Sequence, residues 1–220
     1  MSERILVINP NSSEDVTQRM SAALDGLRFE DGPVVDCMTL AEGPPGIETD
    51  RHIAEVTGPI TATVEREQNQ TSAFVIACFS DPGIHAAREA SRVPVFGIGE
   101  SGYATALTRG DRFGVISILS RSVARHRRQI ASLGLLDRLG GDIAIELGVT
   151  ELHQGDKVRG RMTEVGTELR DGHGCDVLVM GCAGMAQYRA GLETDLGIPV
   201  IDPTQAATTL AIGAVQAARQ

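Results

Sequence analysis

The sequence contains no tryptophan, and aromatic residues make up only 3% of its 220 positions. Surfaces that stack nucleic-acid bases or enclose cationic ligands depend on aromatic side chains, so neither is expected here. Positive charge is also scarce, because 20 lysines and arginines stand against 29 aspartates and glutamates, for a net charge of −9. Nucleic acid and anionic membranes are therefore not predicted partners.

Lysine occurs once, as Lys157 in the polar segment HQGDKVRGR. A pyridoxal phosphate enzyme needs a buried lysine for its Schiff base, and this segment has the composition of a solvated surface. The five histidines are scattered, and the single cluster, His173 and Cys175 with Cys182, lacks a fourth metal ligand. We therefore expect proton-transfer chemistry, if any, to proceed without a metal or an organic cofactor.

Long apolar runs are absent as well, since none approaches the ~18–20 residues of a membrane helix. The start, MSERILVINPNSS, has Glu3 where a signal peptide would be basic, so we expect a cytoplasmic protein. Four cysteines are too few for a disulfide scaffold in a chain of this length, and a reducing compartment keeps thiols free. Each cysteine therefore belongs either to the core or to the chemistry.

Short apolar runs alternate with longer segments of helical character. The runs are Ile5–Ile8, Phe74–Ala77, Val95–Ile98, Phe113–Ile118, Asp142–Leu147, Val177–Met180 and Val200–Ile201. Uninterrupted apolar strands joined by helices predict an α/β fold with parallel sheets. The stretch FVIAC resembles LVMGC, and a Pro-Val pair follows each of the two cysteines 16 or 17 residues later, which predicts an internal repeat.

The repeat predicts two pseudo-symmetric α/β lobes, residues 1–98 and 99–203, each a parallel sheet flanked by helices. The last helix, residues 204–219, is expected to pack back on the first lobe. Ligands of open parallel sheets bind at the carboxyl ends of the strands. The active site should therefore lie in the cleft between the lobes.

Cys78 and Cys182 each lie where a strand ends and a turn of small residues leads into a helix. Free backbone N–H groups and the positive helix end at such a position favour a thiolate. Cys37 and Cys175 lack this context, and burial in the core is their expected role. From the residues alone, a catalytic pair and two buried cysteines remain equally open interpretations of Cys78 and Cys182.

Other motifs are weaker. Gly97–Gly102 has the GxGxxG spacing of a dinucleotide-binding loop, but no acidic residue ends a second strand at the required distance. A cysteine phosphatase would need an arginine six residues after Cys78, where the chain has Ile84. A cysteine hydrolase would need a histidine beside its nucleophile, and only His85 is near in sequence.

Five motifs then occur in a recognisable order, namely INPNSS, ACFSDPG, PVFGIGES, GCAGM and PVIDP. In this order they resemble the aspartate/glutamate/hydantoin racemase superfamily, and within it the hydantoin and allantoin racemases. GPPGIET, residues 43–49, is similar to the GP-x-x-IE loop of that family, and the resemblance covers nearly the whole chain. It implies two α/β lobes, no cofactor, a homo-oligomer, and one catalytic cysteine from each lobe, which are Cys78 and Cys182 here.

The resemblance implies racemisation of a small-molecule substrate, a 5-substituted hydantoin or allantoin. One thiolate removes the proton from the ring carbon, and the opposite thiol delivers a proton to the other face. An amino-acid (Asp/Glu-type) racemase, a maleate isomerase and an arylmalonate decarboxylase remain alternatives on the same scaffold, although decarboxylation needs only one protonating cysteine. A small-molecule binder without catalytic activity would keep the cleft but would not need both thiols.

The predicted substrate-binding residues are neighbours of the two cysteines and side chains at strand ends or in loops: Asn11, Ile47, Phe79, Ser80, Glu100, Ser117, Gly181 and Ala183. Backbone N–H groups in the turns after both cysteines are expected to stabilise an enolate as an oxyanion hole does. For Asn11, Ser80 and Ser117, capping or turn formation is an equal alternative, and for Glu100 the alternative is to orient the loop around Gly99. Where the resembled racemases often have Thr-Thr, this chain has Ser117-Ile118, which leaves the accepted 5-substituent open.

Overall fold

The computed structural model describes residues 3–219, which form two four-stranded parallel sheets covered by helices on both faces. The first half contains β1 (Arg4–Asn9), α1 (Glu14–Ala23), β2 (Val34–Thr39), α2 (Asp50–Glu67), β3 (Ala73–Ile76), α3 (Ile84–Ala90), β4 (Val95–Gly97) and α4 (Ile98–Ala106). The second half contains β5 (Phe113–Ser117), α5 (Ser120–Ser132), β6 (Leu139–Ala144), α6 (Asp156–Thr167), β7 (Val177–Met180), α7 (Arg189–Leu196), β8 (Val200–Ile201) and α8 (Pro203–Ala217). Across residues 3–219, no helix is both long enough and apolar enough to cross a membrane.

The two sheets have the same strand order, β2-β1-β3-β4 in the first and β6-β5-β7-β8 in the second, and every pair is parallel. The strands that precede the two cysteines, β3 and β7, therefore occupy equivalent inner positions. This arrangement confirms the predicted α/β fold with two pseudo-symmetric lobes.

Both faces of each sheet are buried, which explains why the strands are continuous apolar runs rather than alternating ones. Along β1, Ile5 and Val7 contribute to a core shared with α1 and α8. The intervening side chains, Leu6 and Ile8, contribute to a separate core shared with α2 and α3. Successive side chains of the strand thus point to opposite faces of the sheet and fill one core on each side.

The last helix of each half packs on the sheet of the other half. In α4, Tyr103 lies 5.6 Å, centroid to centroid, from Phe113 of β5 and belongs to the core of the second sheet. In α8, Ala207 and Ala211 pack against the first sheet. The two helices also contact each other, so this exchange joins both lobes around the cleft between them.

Asp81 connects the turn after β3 to the start of α4. Its backbone has a left-handed φ of 45°, and its buried carboxylate accepts hydrogen bonds from the backbone N–H groups of Gly99 and Glu100, both at 2.8 Å. A Cβ on Gly97 would lie 2.3 Å from the Asp81 carboxyl carbon, and one on Gly99 would lie 2.3 Å from the Phe79 carbonyl oxygen. The glycine spacing that resembles a dinucleotide loop therefore allows close packing around this carboxylate.

We expect Asp81→Asn to destabilise the protein by about 1–3 kcal/mol. The asparagine NH₂ group would replace one carboxylate oxygen and would face N–H groups that need an acceptor. The Gln129 amide donates to the same carboxylate at 2.7 Å, so three donors depend on its two oxygens. Urea unfolding followed by circular dichroism measures the change. Asp25→Asn, which alters an exposed ion pair with Arg28, is the control and should cost less than about 1 kcal/mol. Equal unfolding midpoints for the two variants would contradict the capping role.

Candidate active site

Cys78 and Cys182 line one pocket at the carboxyl ends of β3 and β7. Equivalent positions in the two lobes thus supply the two thiols. Eight of the ten predicted site residues line this pocket: Asn11, Ile47, Cys78, Phe79, Ser80, Gly181, Cys182 and Ala183. The other two, Glu100 and Ser117, do not.

The turns after the two strands present the thiols in the same way. The Cys182 sulfur accepts a hydrogen bond from the Gly184 backbone N–H at 3.4 Å and caps a short 3₁₀ helix, Ala183–Tyr188. The Cys78 sulfur accepts from the Ser80 backbone N–H, which is also two residues further along. Each N–H group favours the charged form of its thiol. The backbone therefore offers both cysteines matched stabilisation.

Burial nevertheless raises the pKa of both thiols, to about 12 for Cys78 and about 11 for Cys182. A negative charge on Cys182 raises the pKa of Cys78 further, because one thiolate disfavours a second one nearby. This corrects the expectation that helix ends alone would favour thiolates at neutral pH. Desolvation in the cleft outweighs a single backbone N–H group, so both resting thiols are protonated.

Asn11 follows β1 and joins the pocket wall to the start of α1. Its side-chain oxygen accepts from the Asn9 amide at 3.0 Å and from the Ser13 backbone N–H at 2.9 Å. The Asn11 side chain therefore stabilises the turn before α1 and also lines the pocket, so turn formation and substrate contact do not exclude each other.

Glu100 lies outside the pocket because it serves the start of α4. Its carboxylate accepts from the Gly97 backbone N–H at 3.3 Å and forms an ion pair with Arg88. Ser117 is fully buried at the end of β5, where its hydroxyl donates to Asp142 and lies 3.0 Å from Nδ1 of His126. Neither side chain is free to turn toward a ligand in the cleft.

Comparisons of the sequence and of the structure with known proteins identify a family. The profile described as Asp/Glu/Hydantoin racemase matches residues 5–211. The chain belongs to this racemase family. A hydantoin racemase from Paenarthrobacter aurescens is 34% identical over 94% of this chain and 89% of its own, and one from Rhizobium meliloti is 34% identical over 94% and 86%. An allantoin racemase structure from Klebsiella pneumoniae has a TM-score of 0.88 and 30% identity, covering 99% of this chain and 89% of its own.

These relatives are named as racemases, so this family member is an isomerase. Its sole lysine, Lys157, is exposed and bonded to Gln154. In the described part of the chain, no group of three or more histidine, cysteine, aspartate or glutamate side chains is arranged to hold a metal ion.

Two charged or titratable residues of α5 also line the pocket that contains the two cysteines, and sequence reasoning did not find them. One is Arg125, whose positive charge stabilises a Cys78 thiolate. The other is His126, which is 2% exposed and stacks edge-on against Phe79 at 5.0 Å. Nδ1 of His126 lies 3.0 Å from Asp142, a contact that orients the imidazole ring.

Proposed function

We propose that the protein is a cofactor-independent racemase of 5-substituted hydantoins or of allantoin, with Cys78 and Cys182 as its acid and base. The observation that carries this proposal is the pair of thiols brought into one pocket by equivalent strands of two pseudo-symmetric lobes. Racemisation needs a proton acceptor on one face of a carbon and a proton donor on the other. The hydantoin racemase relatives support the substrate class.

The proton balance follows from two thiols that exchange roles. A thiolate at one cysteine takes the proton from C5 of the ring and becomes a thiol. The opposite thiol gives its proton to the other face of C5 and becomes the thiolate, so each turnover reverses the protonation of the pair. Charge builds up on the ring carbonyl oxygen in between, and backbone N–H groups of the turns after the two cysteines that do not donate to the sulfurs are the proposed stabilising donors.

The direct test is circular dichroism of single-enantiomer 5-benzylhydantoin and allantoin incubated with the wild-type protein. We expect the signal to decay to zero while the ring stays intact by liquid chromatography. A signal that persists with both compounds would reject these substrates. Free aspartate and glutamate, maleate and an arylmalonate would then test the alternatives on the same scaffold.

A cysteine hydrolase is a second candidate, because His126 shares the pocket with Cys78 and is oriented by Asp142. His85, the histidine considered from the sequence, is exposed on α3 and is not part of this arrangement. Hydrolysis would open the ring to a carbamoyl amino acid. The same chromatograms separate the reactions, since a racemase leaves no ring-opened product.

We also propose that the protein forms a homo-oligomer. Two large apolar side chains, Phe29 before edge strand β2 and Val34 at its start, are about half exposed, and a second copy would cover them. Size-exclusion chromatography with light scattering should give at least twice the 23.3 kDa chain mass. A single species at 23.3 kDa would contradict the proposal.

A further inference from the structure

The pocket contains a buried cation, Arg125, for which residues 3–219 supply no buried counter-charge. Arg125 is 9% exposed, and its guanidinium donates to the hydroxyls of Ser80 at 2.9 Å and Ser122 at 3.1 Å. Among residues 3–219, Asp50 supplies the one carboxylate within 4.0 Å, at 3.8 Å from Nη1. That carboxylate is 68% exposed and lies closer to Arg128, at 2.9 Å.

This arrangement leaves both charge and hydrogen-bonding capacity unused. A guanidinium has five N–H donors in a planar fork, and the two serine hydroxyls take two of them. A neutral hydroxyl does not compensate a buried positive charge, and an exposed carboxylate at 3.8 Å does so weakly. A ligand carboxylate could accept two parallel N–H bonds from such a fork and balance its charge.

We propose that Arg125 forms a carboxylate-binding subsite, and that the preferred substrates are hydantoins whose 5-substituent ends in a carboxylate. This inference rests on the proposed racemase function and specifies its substrate class. Arg125 lies on the Cys78 side of the pocket, because its Nε donates at 2.9 Å to the hydroxyl of Ser80, two residues after Cys78. A short acidic arm on C5 would therefore reach the guanidinium while C5 itself lies between the two sulfurs.

Hydantoin-5-acetic acid and its primary amide test the proposal, because they differ in charge and hardly in size. The wild-type enzyme should racemise the acid with a kcat/KM at least about 10-fold above that of the amide. Arg125→Gln should raise KM for the acid by about 10- to 100-fold and change KM for the amide by less than about 3-fold. Arg128→Gln removes a charge from the exposed face of the same helix and should leave the ratio unchanged.

Four outcomes of these experiments are distinguishable. If Arg125 only stabilises the Cys78 thiolate, Arg125→Gln lowers kcat equally for both compounds and keeps their ratio, which overturns the subsite. If neither compound is racemised, the proposed function fails on these substrates, and isothermal titration calorimetry still tests the subsite by comparing acid with amide binding. Should Arg125→Gln fail to fold, the wild-type ratio decides, with Arg125→Lys expected to give an intermediate one. A wild-type preference for the amide would overturn the inference.

Discussion

Replacing either Cys78 or Cys182 by alanine is expected to abolish racemisation, with kcat falling by at least about 10²–10⁴-fold. Each thiol serves a different face of the carbon, so the remaining one can remove or return a proton on its own face only. Both residues are at least partly buried at strand ends, and alanine at either position removes one sulfur without adding volume. Circular dichroism decay of an enantiopure hydantoin measures the rates.

Cys37→Ala is the matched control for this prediction. Cys37 is also a partly buried cysteine of the first lobe, but it lies in β2 and does not line the pocket. Its substitution should leave kcat within about 3-fold of the wild-type value. Substantial racemisation by either the Cys78→Ala or the Cys182→Ala variant would contradict a two-thiol mechanism and indicate a single base.

The second large effect is a steep rise of activity with pH. The active form needs one thiolate beside one thiol, and burial raises the pKa values to about 12 for Cys78 and about 11 for Cys182. Well below the lower value, the thiolate fraction grows about 10-fold per pH unit. We therefore expect kcat/KM to increase continuously from pH 7 to pH 10, after subtraction of uncatalysed racemisation.

Alkylation by iodoacetamide provides an independent readout of the same thiols. Its rate should be slow at neutral pH, rise in parallel with kcat/KM, and fall when substrate is present. A profile that reaches its plateau below pH 8 would contradict raised pKa values and favour thiolates already formed in the resting enzyme.

The same shifts bear on stability. A thiol whose folded pKa lies above its unfolded value of 9.0 contributes stability that is fully present below pH 9 and lost as pH rises toward the folded value. Raising the pH above 9 should therefore lower the free energy of unfolding less in the Cys78→Ala variant than in the wild-type protein, each compared with its own value at pH 7.

Most strands were predictable because they are buried on both faces and appear as continuous apolar runs. Strand β2, Val34–Thr39, was missed because it is an edge strand, and it is more exposed and mixed in character. Strand β6 begins at Leu139, earlier than the predicted Asp142, because Gly140 and Gly141 interrupt the apolar pattern. A Cβ on Gly140 would lie 2.4 Å from the sulfur of Cys175, so close packing explains that glycine.

The cysteine pair was visible in the sequence because each member ends an apolar strand. Arg125 and His126 were not, because they belong to the basic stretch SRSVARHRRQ, which has the composition of a solvated helix face. The spacing of residues in α5 carried a usable signal. Ser122 and His126 are eight and four residues before Ile130 and share the buried side of the helix with it. Only the packing of α5 at the cleft shows that this side faces the thiols.

In the proposed mechanism, the two cysteines serve opposite faces of one carbon. Hydrogen exchange in D₂O tests this directly, by ¹H NMR of the C5 proton in each enantiomer of 5-benzylhydantoin. The wild-type protein should exchange both enantiomers, whereas Cys78→Ala should exchange one enantiomer alone and Cys182→Ala the other alone. Exchange of the same enantiomer by both variants, or of both enantiomers by either, would contradict the two-thiol mechanism.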